Sequence, residues 1–224
     1  MNESASEEKG FPSSLSAHTA VLGNYYFNTY LVRGKRACAI VETGVSATVD
    51  DLVSQLEHLA NRPDYIVVTH PHADHLTGLA GLREKYPDAM VITGKGAKDF
   101  AEHPKAAAAM SSEDRHISAM LEKKGVRPGR PPADSVPDLS DAREVDESTN
   151  IDLGGATMRC FPVHGHAPGG IAVHVPEDKV VLLSDCLGFH YPGRGFCPLY
   201  FTGFQEYMDT IRALESLGPE IIGP

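Results

Sequence analysis

The chain has 224 residues, enough for one domain with a sizeable core, and its apolar content of 42% is ordinary for a globular protein. Thirty acidic against twenty basic residues leave a formal charge of −10, which argues against a nucleic-acid partner, because phosphate binding needs a basic surface. No stretch approaches the roughly 20 consecutive apolar residues that cross a bilayer, so no membrane partner is expected.

The first residues are polar and acidic and lack the basic end and apolar stretch of a secretion signal, so 1–17 read as a flexible tail. Short β-rich runs follow at Thr19–Leu22, Asn28–Val32 and Ala37–Val41. Leu52, Leu56 and Leu59 share one face of a helix expected from Thr48 to Ala60. Strand Tyr65–Val68, helix Leu79–Tyr86 and strand Met90–Ile92 continue a βαβα pattern. Residues 95–146 read as an insertion, helical at Ala106–Ala109 and Met120–Leu121 and irregular through the proline-rich Arg127–Pro137. It is expected to cap a cleft, to form a homodimer contact or to be a surface excursion. Beyond it, Gly154-Gly155 and Pro176–Lys179 each separate two strands, as hairpin turns do. A last helix, Phe204–Leu217, is expected to bury Phe204, Met208, Ile211 and Leu214. Cys38, Cys160, Cys186 and Cys197 show no CxxC pairing, which favours free thiols and a cytoplasmic location. Cys186 reads as a small buried hydrophobe.

The most informative segment is Thr69-His70-Pro71-His72-Ala73-Asp74-His75-Leu76-Thr77-Gly78, directly after the apolar run Tyr65–Val68. Neutral imidazoles beside a carboxylate are the ligand set of zinc or a similar borderline divalent ion. Solvated loop histidines would account for His70 and His72 alone. They would not account for the carboxylate between His72 and His75, the strand before it or Gly78 after it. His103 and His116, in the insertion, read as solvated, and His174, in an apolar strand, as packing.

This segment matches the HxHxDH signature of the metallo-β-lactamase superfamily, and further pieces follow in that family's order. Tyr30-Leu31-Val32 and Ala39–Gly44 resemble its opening hairpin and turn. Phe161–Gly169 resembles its third motif, and Val181-Leu182-Leu183-Ser184-Asp185 its fourth. The resemblance runs from about residue 18 to residue 224 and implies an αββα sandwich of two mixed sheets flanked by helices. Periodicity alone gives only a mixed α/β chain.

The resemblance implies that His70, His72 and His166 hold one divalent metal ion and that Asp74 and His75 hold a second. Asp185 would bridge the two ions, and Asp74 would also serve catalysis. Zinc is the favoured ion, with iron or manganese as alternatives. His164 competes with His166, and only one of the two should point at the cluster if the segment ends a strand. Glu42 stands where the family has an aspartate that orients the ligand loop. The family's last ligand histidine follows the final short strand, where this sequence reaches Ile221-Ile222-Gly223-Pro224. That reads as a fragment with an incomplete second site, its gap open to water, a substrate group or His190. His190 and Arg194, in the glycine-rich stretch after Asp185, are expected to contact the substrate.

The function so implied is a metal-dependent hydrolase of the glyoxalase-II-like kind, using a metal-bound hydroxide on a small-molecule thioester, ester or lactone. A single-iron sulfur dioxygenase and a non-catalytic ligand-binding descendant are the alternatives. β-Lactamase activity is disfavoured by Asp185, and a flavin-linked diiron role by histidine at position 72.

Overall fold

A computed structural model describes residues 10–191 and 193–224, the side chains of 190, 191 and 196 excepted. Its main sheet contains β1 (Ser13–Ser14), β2 (Thr19–Gly23), β3 (Asn28–Arg33), β4 (Cys38–Val41), β5 (Tyr65–Val67), β6 (Met90–Gly94) and β7 (Arg143–Val145), in that spatial order. Strands β1 to β4 pair antiparallel with one another, and β4 to β7 pair in parallel. The second sheet is formed by β8 (Thr149–Asp152), β9 (Thr157–Pro162), β10 (Ile171–Val175), β11 (Val180–Leu182) and β14 (Ile221–Gly223). A separate hairpin pairs β12 (Phe189–Tyr191) with β13 (Gly195–Cys197).

Strand alternation sorts the apolar residues into layers. Tyr30, Val32, Ala39, Val41 and Val67 of the first sheet face Met158, Cys160, Val173, Val175 and Leu182 of the second, forming the inner core. Their neighbours Leu31, Ile40 and Ile66 point outward against Leu52 and Leu56 of α1 (Val49–His58) and Leu79 and Leu82 of α3 (Leu79–Lys85). A short helix, α2 (Ala73–Leu76), precedes α3. On the far side, Ala172, Val181 and Leu183 pack against Leu214 of α6 (Phe204–Ser216). The chain is an αββα sandwich.

Several elements differ from the sequence reading. Ser13–Ser14, within the stretch read as tail, pairs with Ala20 and Val21. Residues 1–9 of that tail lie outside the described residues. Arg143–Val145, inside the expected insertion, joins the main sheet beside β6. Only Val145 of the three is buried, so no alternation marked the strand. In α6 the buried residues are Tyr207, Thr210 and Leu214, while Phe204 is 57% exposed. Thr210 earns its buried place by bonding both the amide and the carbonyl of His164.

The two helical fragments read in the insertion belong to α5 (Pro104–Lys123), preceded by α4 (Ala97–Glu102). Pro104 opens α5 at a position where its missing amide proton costs nothing. Asp114, fully buried, ties this helix to the sandwich. Its carboxylate accepts from the Ser46 amide at 3.0 Å, the Thr77 hydroxyl at 2.7 Å and the Ala133 amide at 2.7 Å. Asp114→Ala would leave the buried Ser46 amide without its acceptor and would cut the ties to Thr77, whose hydroxyl keeps the Ala73 carbonyl, and to the part-buried Ala133 amide. A loss of about 3 kcal/mol is expected, read as a lower urea midpoint at unchanged slope.

Candidate metal centre

Glu42 follows β4, His70 to His75 follow β5, His166 follows β9 and Asp185 follows β11. Four strand ends at one edge of the sandwich therefore carry the polar cluster on rigid backbone. After β5, Pro71 favours extended backbone at His70, and His72 is extended at the N-cap of α2. Asp74 and His75 then fall in one helical turn. The Thr43 hydroxyl donates to the His75 carbonyl at 2.8 Å and holds that turn in place. Gly78 passes so close that a Cβ there would lie 2.1 Å from the Thr43 carbonyl oxygen.

The His166 loop depends on a second close approach. Gly165 has φ of +100°, and a Cβ on it would sit 2.4 Å from that of Tyr207. With Gly165 in that conformation, His166 turns into the cluster and His164 is exposed. The His166 Nδ1 lies 3.0 Å from the Leu199 carbonyl, an acceptor that fixes the proton on that nitrogen.

Three imidazole nitrogens converge. His72 Nδ1 lies 3.0 Å from His70 Nε2 and 3.3 Å from His166 Nε2. Around a tetrahedral ion with zinc–nitrogen bonds of about 2.0–2.1 Å, ligand nitrogens sit roughly 3.3 Å apart. Asp185 Oδ2 is 3.7 Å from His166 Nε2, and its Oδ1 is 3.8 Å from His75 Nε2. His75 Nε2 also lies 3.3 Å from Asp74 Oδ2. Two groups thus form, His70, His72, His166 and Asp185, then Asp74, His75 and Asp185, and each could hold a metal ion. Asp185 belongs to both.

The electrostatics suit a cation. Burial, then the neighbouring imidazoles, hold His70 well below its ordinary value, and the same causes bring His72 down to about 4. Both are neutral donors of a lone pair at neutral pH. Burial also opposes charge on His75, but the Asp74 and Glu42 carboxylates outweigh it and hold that imidazole well above its usual value. Burial works to raise Asp74, yet His75 prevails and the carboxyl stands at about 2. Asp185 is raised by burial, which together with Asp74 and Glu42 outweighs the opposing His75 and His166. His75 Nε2 is buried without a hydrogen-bond partner and faces these carboxylates. A cation there would answer both the orphaned nitrogen and the crowded negative charge.

Glu42 acts behind these groups. Its carboxylate lies 2.9 Å from His75 Nδ1 and accepts from the Thr69 hydroxyl. The longer glutamate is accommodated with φ of +76°, an uncommon backbone conformation for that residue. Ser184 Oγ, 3.1 Å from the same His75 nitrogen, was not singled out by the sequence reading. Its own φ of +51° is equally uncommon, and no local sequence signal announces it. Glu42→Ala should free the His75 ring and weaken metal binding at the Asp74–His75–Asp185 group by about 10- to 100-fold. Zinc titration of the variant would show this as one weakened step.

The remaining expectations fare unevenly. The side chain of His190 lies outside the described residues. Arg194 is exposed and is not among the residues that line the cleft at the cluster, whereas Phe189 is. His103 and His116 are exposed. His174 is buried in β10, away from the cluster. Cys186 is packed among Val163, Leu183 and Leu214, and burial pushes its thiol up to about 12. All four cysteines are free. Among the described residues no helix is long and apolar enough to cross a membrane.

The family model of the metallo-β-lactamase superfamily matches residues 23–224. The chain belongs to that superfamily. It is 26% identical over 202 residues to a metallo-β-lactamase fold-containing protein of Sulfurisphaera tokodaii, covering 87% of this chain and 70% of that protein. A crystal structure of the archaeal protein superposes with a TM-score of 0.68 at 23% identity, over 92% of this chain and 78% of that one. A hydroxyacylglutathione hydrolase of Ruegeria pomeroyi is 28% identical over 151 residues, 65% of this chain. The match spans only 44% of that hydrolase. An acyl-coenzyme A thioesterase of Gallus gallus is 25% identical over 203 residues, 85% of this chain and 67% of the thioesterase. Superfamily membership makes the protein hydrolase-like, with a His/Asp cluster able to bind metal.

Proposed function

We propose that this protein is a metal-dependent hydrolase of a small-molecule thioester, ester or lactone. The observation that carries the reading is the sharing of Asp185 between two adjacent ligand groups, 3.7 Å from His166 on one side and 3.8 Å from His75 on the other. His70, His72 and His166 would hold one divalent ion, Asp74 and His75 the other, and Asp185 both, with zinc favoured by the nitrogen-rich donor set. Such ions polarise a carbonyl oxygen and bring the pKa of bound water from 15.7 down to about 7.

The chain's own groups prepare that chemistry. Neutral His70 and His72 offer lone pairs without first losing a proton. Asp74, its carboxyl held at about 2 by His75, supplies fixed negative charge that would offset a bound divalent ion. Glu42 and Thr69 hold the His75 ring in orientation. Relatives named as a hydroxyacylglutathione hydrolase and an acyl-coenzyme A thioesterase support a thioester before other substrates.

The test is a panel of thioesters, esters, lactones and phosphodiesters offered to the zinc-loaded protein. Cleavage of a thioester, ester or lactone that stops on chelation is expected. Cleavage of the phosphodiesters alone would overturn the substrate class.

A further inference from the structure

A cleft of about 550 Å³ opens beside Asp74, His75 and Asp185. That is within the range of roughly 300–1,000 Å³ typical of small-molecule sites. Its wall away from those groups is apolar and comes from three separate parts of the chain. Tyr26 and Phe27 belong to the turn between β2 and β3, Ile117 and Met120 to α5, and Phe189 to the start of β12. Phe27, Ile117 and Met120 pack together on buried Val45, Ala47 and Leu121, so the wall is a built surface. The docking of α5 through Asp114 fixes it in place.

The charge pattern narrows the occupant. Among the described residues the lining holds no lysine or arginine, and it includes the carboxylates of Glu42, Asp74 and Asp185. Away from His75 and the proposed metal ligands, an anionic carrier finds no lysine or arginine among the described lining residues. An uncharged hydrocarbon finds five apolar side chains.

We propose that this cleft receives an alkyl chain of the substrate, held between the β2–β3 turn and helix α5. The inference rests on the hydrolase reading for the bond that is cleaved, and it specifies what lies beside that bond. The alkyl chain can belong to the acyl part or to the leaving group, and the two sources call for separate series.

The experiment compares p-nitrophenyl alkanoates from butanoate to decanoate with n-alkyl thioacetates of matching length, on zinc-loaded protein. Calorimetric binding of the straight-chain carboxylates gives a readout independent of turnover. Complete burial contributes about 0.8 kcal/mol per methylene, so kcat/KM in one series and carboxylate affinity should rise three- to fourfold per added carbon. The series that rises identifies which part of the substrate lies in the cleft. Met120→Gln, close in volume, and Tyr26→Ser, at an exposed position, should each flatten that slope. Affinity that rises with length while no ester is cleaved would uphold the cleft and remove the hydrolase reading. Cleavage without length dependence in either series, or slopes unaltered in both variants, would overturn the cleft proposal and leave the hydrolase reading standing.

Discussion

His72→Ala should abolish zinc binding at the three-histidine group and lower hydrolysis by at least about 100-fold, with the chain still folded. Removing a residue that merely supports a ligand costs about 10- to 100-fold, so loss of a ligand should exceed that range. The expectation is specific to His72 because its Nδ1 is the shared vertex, 3.0 Å from His70 Nε2 and 3.3 Å from His166 Nε2. Folding should survive because His72 is only partly buried and belongs to none of the apolar clusters. Zinc content by elemental analysis, beside the circular dichroism of wild type and variant, checks both halves. Unchanged zinc in a folded variant would remove His72 from the site.

Asp185→Asn should be costlier still, because one carboxylate serves both groups. The amide keeps the shape and volume of the side chain but removes the charge that offsets two divalent ions. Burial, with Asp74 and Glu42, disfavours that charge at Asp185 against the opposing pull of His75 and His166, and a bound cation would favour it further. Zinc stoichiometry should fall from two to one or fewer, with hydrolysis reduced beyond the His72→Ala level. A variant that keeps both ions at wild-type affinity would show that Asp185 is not common to them.

How far the sequence spoke differs from element to element. The ligand loop was legible because Tyr65–Val68 gives it a buried strand and four metal-type side chains fall within six positions. The hairpin at Gly154-Gly155 was legible because both glycines take positive φ, +88° and +94°, as a tight turn demands. Strand β7 was not, since Arg143 and Glu144 are exposed and give no alternation. The buried face of α6 was misread because Thr210 bonds the His164 backbone, a tertiary contact that no helical period reveals. Phe204 was placed inside by its apolarity, yet it lies beside Tyr200 on the surface. His166 lies in the cluster and His164 is exposed, with Gly165 at φ of +100° between them, a conformation that no periodicity in the segment reveals. The wall supplied by Ile117 and Met120 depends on how α5 docks, through Met110, Leu121 and the buried Asp114, which bonds Thr77 from more than 35 residues away in sequence.

Zinc titration of chelator-stripped protein by calorimetry tests the central claim most directly. Two steps of unequal affinity are expected in the wild type, the weaker at the three-ligand Asp74–His75–Asp185 group, with the three-histidine step disappearing in His72→Ala and both weakening in Asp185→Asn. Binding of no zinc by the wild type, or the same two steps in all three proteins, would contradict a paired metal centre at this edge of the sandwich.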